Sequence, residues 1–204
     1  MEFLLSVIFF AIPMGITPGP NNIMLMSSGL NFGVRLSLPL FSGVTIGFPL
    51  MFIIVGTSLG IIFNQYPVLH ELIKVIGVFY LLYLAWRVAN AAPTHVDNSK
   101  TRPLTFLQAM LLQWVNPKAW VMITGAIAAF TTTQGNIYLQ VGLIALVFFF
   151  VGLLTASTWL LFGTWLRKYL KSPKHQHAFN LSMAMLLVLS IAPVAYDLII
   201  RYLL

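Results

Sequence analysis

The sequence predicts an all-α integral membrane protein with six transmembrane helices, and three observations support this fold class. Hydrophobic residues make up 59% of the 204 residues and charged residues only 7%, whereas a soluble domain carries roughly 25% charged residues. The charge-free stretches are long enough to cross a bilayer, which takes about 20 apolar residues in a helix. The net charge of +7 comes mostly from basic residues in the segments between these stretches, a pattern typical of membrane topology rather than of nucleic-acid binding.

Six apolar segments follow one another along the chain. Two charge-free runs, residues 3–34 and 36–70, are expected to hold the first two helices, with a short turn over residues 27–33 between them. Two polar segments, residues 91–103 and the basic residues 167–177, are predicted loops. The other four helices are expected over about residues 69–89, 104–131, 137–165 and 178–202.

The distribution of lysine and arginine predicts the orientation of the chain. The segments that link helices one and two, three and four, and five and six carry eight of these residues, and the opposite side carries two. Because basic residues favour the cytoplasmic side, both termini are expected outside. The first helix begins at Glu2, without a basic leader or a small-residue cleavage site, so we expect it to be retained rather than removed as a signal peptide.

A polar, proline-rich motif interrupts the first apolar run. Proline removes a backbone donor and glycine loosens a helix. Inside hydrocarbon, an opened backbone is tolerated only where it is buried in protein or lines a wet cavity. We therefore expect a small-solute binding site in a transporter, and the alternative is a kink that only shapes packing. The motif consists of Thr17, Pro18, Gly19, Pro20, Asn21 and Asn22.

A second interruption, in helix four, consists of Asn116, Pro117 and Lys118. Overlaying Pro18 on Pro117 places the two breaks at matching depth in their helices. Paired interruptions are typical of transporters built from inverted repeats, in which an odd number of crossings reverses the second half. We predict one transmembrane transporter domain over residues 1–204, with repeats at about 1–92 and 104–204. The alternative is coincidence, because prolines are frequent in membrane helices.

Lys118 is the outlier among the charged residues. Thirteen residues of helix four precede it and thirteen follow, which places it near mid-membrane, where a lysine costs roughly 2.5–3.5 kcal/mol. All four acidic residues lie at a terminus, near a span end or in a loop: Glu2, Glu71, Asp97 and Asp197. We expect Lys118 to face a wet cavity where an anionic substrate group becomes its partner. The alternative is a structural lysine held by carbonyls that Pro117 frees.

The two breaks together suit a small zwitterion. Backbone amides freed after a break favour a carboxylate, whereas freed carbonyls and asparagine oxygens favour an ammonium group. A dication would prefer a buried acid, so neutral amino acids are favoured over lysine or arginine. Trp114 and Trp120 are also able to receive cations.

These motifs resemble a known family, the LysE/RhtB family of bacterial amino-acid exporters. The resemblance implies secondary-active export of amino acids or related metabolites across the bacterial inner membrane, driven by the proton gradient. It is closest to the branch for neutral solutes such as cysteine, O-acetylserine, homoserine or threonine, and the motifs do not select among these. The matching residues are Gly15-x-x-Pro18-Gly19-Pro20-Asn21-Asn22, Gly33-x-Arg35, Gly43, Gly47, Gly77-x-x-Tyr80-Leu81 and Asn116-Pro117-Lys118.

Proton coupling requires a titratable group in the pathway, and Lys118 is the ionisable residue nearest the midplane. We hypothesise that Lys118 binds the substrate carboxylate and also carries the coupling proton. Two other readings stay open, a passive small-solute channel and, with less support, a membrane-embedded enzyme. The chain has no cysteine, which excludes thiol and iron–sulfur chemistry. No cofactor is expected, and His175 and His177 are expected in a solvated loop rather than in a metal site.

Two glycine pairs in helix two allow a close approach of another helix. These are Gly43-xxx-Gly47 and Gly56-xxx-Gly60. We expect them to pack within the chain, and a homodimer through this face is the alternative. In the overlay of the two halves, Gly43 falls on Gly142.

Overall fold

The computed structural model describes residues 2–59, 67–91, 102–132, 136–170 and 172–203. These residues form α-helices and one π-helical turn and no strand, which confirms the predicted all-α class. The elements in chain order are α1 (Glu2–Ile16), α2 (Pro20–Ile54), the π-helical turn (Val55–Leu59), α3 (Pro67–Ala89), α4 (Phe106–Val115), α5 (Pro117–Phe130), α6 (Ile137–Leu166) and α7 (Pro173–Leu203).

Three stretches of helix are long and apolar enough to cross a membrane, Pro20–Thr57, Ile137–Leu166 and Pro173–Pro193. The outward surface of the bundle carries large apolar side chains, among them Phe9, which is 74% exposed, and Leu154, which is 69% exposed. Such a surface is stable in lipid and not in water. The chain is therefore a multi-pass membrane protein.

The helices end at both predicted interruptions. The first break separates α1 from α2, and Gly19, in extended geometry with φ −172° and ψ 176°, is the residue before α2. The second break is a single residue, Asn116, with φ −85° and ψ 108°, between α4 and α5. Each following helix begins with a proline, whose fixed φ suits the first helical position and whose missing N–H costs nothing there.

The turn predicted over residues 27–33 is wrong. The chain stays helical through Phe32, and within α2 only Gly33 has non-helical geometry, with φ 75° and ψ 177°. Glycine adopts this positive φ without a steric penalty, so the change of direction is confined to one residue. Helix α2 therefore consists of a first arm before Gly33 and a second arm after it.

The loop predicted over residues 167–177 is shorter than expected. Helix α7 begins at Pro173, because proline is favoured at a first helical position. His175 and His177 consequently lie in the first turns of α7 rather than in a loop, and both are exposed. The sequence also predicts a turn over residues 64–67 after helix two, and residues 64–66 of it lie outside the described residues.

The two halves interlock. Helix α2 packs against α6 and α4, α1 packs against α6, and α3 packs against α7. Gly43 and Gly47 face Phe106 and Met110 of α4, so this pair packs within the chain as predicted. Gly142, the overlay partner of Gly43, has no atom of another described element within 4 Å of the place that a Cβ would take, so the two glycines differ in packing.

The first arm of α2 crosses α6 at close range. A Cβ on Gly163 would overlap the carbonyl oxygen of Met26, and a Cβ on Gly29 would overlap that of Leu160. The Thr164 hydroxyl also donates to the Gly29 carbonyl oxygen at 3.3 Å. Packing against α6 therefore fixes the position of the helical arm that follows the first break.

Candidate binding site between the two helix breaks

The two helix breaks contact each other directly. The Lys118 ammonium donates to the carbonyl oxygen of Thr17 at 2.6 Å and to its hydroxyl at 2.8 Å. In a continuous helix the Thr17 carbonyl would accept from the amide of Asn21, but α2 begins only at Pro20. Lys118 is thus held by a carbonyl freed in the first break, not by those around Pro117.

Asn22 holds the open backbone of the first break. Its side-chain amide nitrogen donates to the carbonyl oxygens of Gly15 at 2.7 Å and Thr17 at 2.8 Å. Asn22 is only 7% exposed, and freed carbonyls in such a place need a partner. Its amide therefore replaces backbone donors that the break removes.

Asn21 reaches across to the other half of the chain. It forms a reciprocal amide pair with Gln113 of α4: the Asn21 nitrogen donates to Gln113 Oε1 at 2.8 Å, and the Gln113 nitrogen donates to Asn21 Oδ1 at 3.2 Å. Gln113 is fully buried and also donates to the Ala109 carbonyl at 2.9 Å. Sequence reasoning missed Gln113, although an uncharged amide in an apolar helix, one turn before a break, is a usable signal.

The second break is closed by local contacts. The Asn116 side chain accepts from the Lys118 backbone amide at 3.1 Å and so caps α5. The Trp120 indole N–H donates to the Trp114 carbonyl at 2.8 Å, and the two rings meet edge to face. The Trp120 indole thus provides a hydrogen-bond donor to a carbonyl near the end of α4. The sequence did not predict this role.

Gly19 gives Lys118 room to reach the first break. A Cβ at Gly19 would lie 2.7 Å from Lys118 Cδ, so the lysine stem lies against bare backbone. Gly19 also precedes α2 without a side-chain cap, and the amides of Asn21 and Asn22 in the first turn have no intrahelical acceptor. An ammonium group and the positive end of a helix therefore occur together here.

A cavity of about 60 Å³ lies between the breaks, α6 and the second arm of α2. Five predicted site residues line it, namely Gly19, Asn21, Asn22, Asn116 and Lys118. The structure places Thr17 next to it through Lys118, whereas Pro18, Pro20 and Pro117 are not among its lining residues. The lining that sequence reasoning missed includes Gly15, Thr45, Phe48, Phe148, Val151 and Thr155.

The cavity wall has two chemical characters. Amides and one ammonium group form the side next to the breaks, and aliphatic and aromatic side chains form most of the rest, together with the hydroxyls of Thr45 and Thr155. The volume has room for a few water molecules or a compact solute. Such a site is able to bind a small polar molecule at its charged end and to enclose an apolar remainder.

The amide pair between Asn21 and Gln113 predicts a specific energetic coupling. Gln113→Leu removes one partner and leaves the partly buried Asn21 amide without its hydrogen bonds to Gln113, so we expect a loss of about 1–3 kcal/mol in stability. Asn21→Leu in the same background should cost much less than it does alone, because the pair is already absent. Thermal unfolding of the four proteins in detergent measures this coupling. Additive losses would contradict it.

Comparison with known proteins gives a consistent result. Residues 12–199 match the LysE type translocator family. The chain is 30% identical over 173 residues to the cysteine/O-acetylserine efflux protein of Escherichia coli O1:K1 / APEC, which covers 84% of this chain and 87% of that protein. Proteins of the same name from Escherichia coli (strain K12) and Shigella flexneri serotype 5b (strain 8401) are 29% identical, with the same coverage. No solved structure matches.

The match includes both helix breaks and every residue named above as lining the cavity. It confirms the resemblance that the proline motifs carry, and the names of the relatives point to a transporter rather than an enzyme. The chain belongs to the LysE type translocator family.

Proposed function

We propose that this protein is a secondary-active exporter of small neutral amino acids or related metabolites, of the cysteine/O-acetylserine or homoserine/threonine type. The observation that carries this proposal is the contact of Lys118 with the opened backbone at Thr17, on the wall of a partly open cavity. A partly buried ammonium group whose partners among the described residues are neutral is suited to receive an anionic group from outside the protein. The names of the relatives support the same substrate class.

The geometry of the cavity fits a zwitterion. A substrate carboxylate would take the place of the Thr17 oxygens on Lys118 and meet the free amides at the start of α2. The substrate ammonium would be received by carbonyl and asparagine oxygens of the two breaks. The aliphatic and aromatic walls would enclose a short side chain. The small volume of the cavity favours compact substrates.

We propose that the chain crosses the membrane six times as two inverted three-helix repeats. In this arrangement α1 and the first arm of α2 form one broken span, and α4 and α5 form its counterpart. The packing of α2 on α4 and of α1 on α6, with α3 on α7 between the halves, supports a two-fold relation. With the basic segments in the cytoplasm, both termini lie in the periplasm and the protein resides in the inner membrane.

We propose proton coupling through the same lysine. The substrate carboxylate and the coupling proton would both use the Lys118 amine, so their movements would depend on a single group. We propose antiport of the substrate against protons.

Transport by the purified protein in proteoliposomes tests the proposal. Loaded vesicles should show saturable counterflow of a labelled neutral amino acid, and an imposed pH gradient should drive its accumulation. A panel of cysteine, O-acetylserine, homoserine and threonine, with lysine and arginine as controls, identifies the substrate by competition. Flux that neither saturates nor responds to the gradient would indicate a channel and overturn the exporter proposal.

A further inference from the structure

A second cavity lies on the side of the bundle that carries the basic segments. It has a volume of about 50 Å³ and lies between the first arm of α2, the end of α3 and the segment that precedes α4. Its polar lining consists of Arg87, Arg102, Ser27 and Ser28. No proline break contributes to it, so it is separate from the site between the two breaks.

Arg87 is positioned at this cavity by one hydrogen bond. Its Nη2 donates to the backbone oxygen of Arg102 at 2.8 Å, which fixes the guanidinium group and leaves its other donors available. Within the described parts of the chain, neither arginine forms an ion pair with a carboxylate. A partly buried guanidinium group with unused donors favours binding of a planar anion.

The serine side of the cavity supplies a further donor. Ser28 and Ser37 share a hydrogen bond of 2.7 Å, and Ser37 donates to the Gly33 carbonyl, so Ser28 is the donor within that pair. Ser27 is 4% exposed and accepts from Asn31 at 3.3 Å. Among the described residues its own O–H has no acceptor. A ligand in the cavity would provide one.

The first arm of α2 connects this cavity to the site between the breaks. Asn21 lines the main site, and Met24 and Ser28, which follow it three and seven residues later on the same helical face, line the second cavity. Buried Met24, Leu40 and Val44 belong to one apolar cluster, with Leu40 lining the second cavity and Val44 the main site. Along this arm, the linings of the two cavities come within one helical turn of each other, at Asn21 and Met24.

We propose that the second cavity is a recognition site for the substrate carboxylate on the cytoplasmic side. The Arg87 guanidinium group binds the carboxylate, and the Ser27 hydroxyl donates a further hydrogen bond. The solute is held there until the apolar cluster around Met24 opens and admits it to Lys118. This inference rests on the proposed function, because it assigns a second step to the same substrate.

Uptake of a labelled neutral amino acid into everted membrane vesicles tests the proposal, since these vesicles expose the cytoplasmic face. Arg87→Gln should raise the KM about tenfold and change the maximal rate less than twofold. Arg87→Lys keeps the charge but not the planar arrangement of donors. Its KM should therefore lie between that of the wild type and that of Arg87→Gln. Arg35→Gln is the matched control, because Arg35 is exposed on the same side and lies outside the cavity.

A carboxamide analogue of the substrate separates recognition from folding. It should inhibit uptake by wild type and by Arg87→Gln with the same constant, because it lacks the carboxylate that Arg87 binds. An unchanged KM in Arg87→Gln, or an equal rise in Arg35→Gln, would overturn the proposal while leaving the exporter function intact. Wild-type vesicles without uptake of any neutral amino acid would overturn both.

Discussion

Lys118→Gln should lower transport driven by a pH gradient by at least about tenfold, since a hydrogen bond to a charged group contributes about 1.5–3 kcal/mol. Glutamine is one bond shorter than lysine but keeps an N–H donor close to the oxygens of Thr17, which are 2.6 and 2.8 Å from the ammonium nitrogen. We therefore expect the two breaks to keep their local structure. What the variant loses is the positive charge that attracts the carboxylate and the proton that couples transport.

Two measurements on reconstituted protein separate these two roles. Counterflow at equal pH reports substrate binding, and accumulation against a pH gradient reports coupling. Lys118→Arg keeps the charge but does not titrate, so we expect counterflow to persist and gradient-driven accumulation to fall to the level of Lys118→Gln.

A matched control is Lys174→Gln, because Lys174 is exposed in the first turn of α7, away from the cavity. It removes the same charge from the protein and should leave both rates unchanged. Undiminished accumulation in Lys118→Gln would remove the lysine from the mechanism. Accumulation by Lys118→Arg at the wild-type level would leave Lys118 as a binding group and exclude it as the proton carrier.

The breaks were predictable from the sequence because their causes are local. Proline removes a donor wherever it stands, and Gly19 is disfavoured in the helical region because a proline follows it. The contact of Lys118 with Thr17 was not predictable, since it depends on how far two distant helices rotate about their axes. The sequence-based alternative for Lys118 was a structural contact with carbonyls freed near Pro117. The packing of the helices instead brings it to the carbonyl of Thr17.

The errors also have physical causes. A cluster of serine, asparagine and glycine between two apolar runs indicates a turn, but in lipid the backbone of Ser27 and Asn31 gains more from helical hydrogen bonds. Their side chains are satisfied within the protein, as when Asn31 pairs with Asn180 of α7 at 2.9 Å. The role of Gln113 was not predicted from the sequence, because its partner Asn21 lies in the other half of the chain.

Gly163→Ala should destabilise the protein more than any other single methyl addition considered. The new Cβ would overlap the Met26 carbonyl oxygen and lie 2.8 Å from its carbon, and these are backbone atoms that do not rotate away. Overpacking of this kind costs about 1–3 kcal/mol and occasionally more. At about 2–4 °C per kcal/mol for a chain of this size, the unfolding midpoint in detergent should fall by several degrees.

Gly142→Ala in the same helix is the matched control, because in the described part of the chain no atom of another element lies within 4 Å of its new Cβ. Alanine is favoured over glycine in a helix by about 1 kcal/mol, so this control should be neutral or slightly stabilising. The crossing at Gly163 also positions the arm of α2 that begins at the first break. We therefore expect Gly163→Ala to lose counterflow in proportion to the protein that fails to fold. A normal midpoint in this variant would show that α2 and α6 do not cross at the distance described.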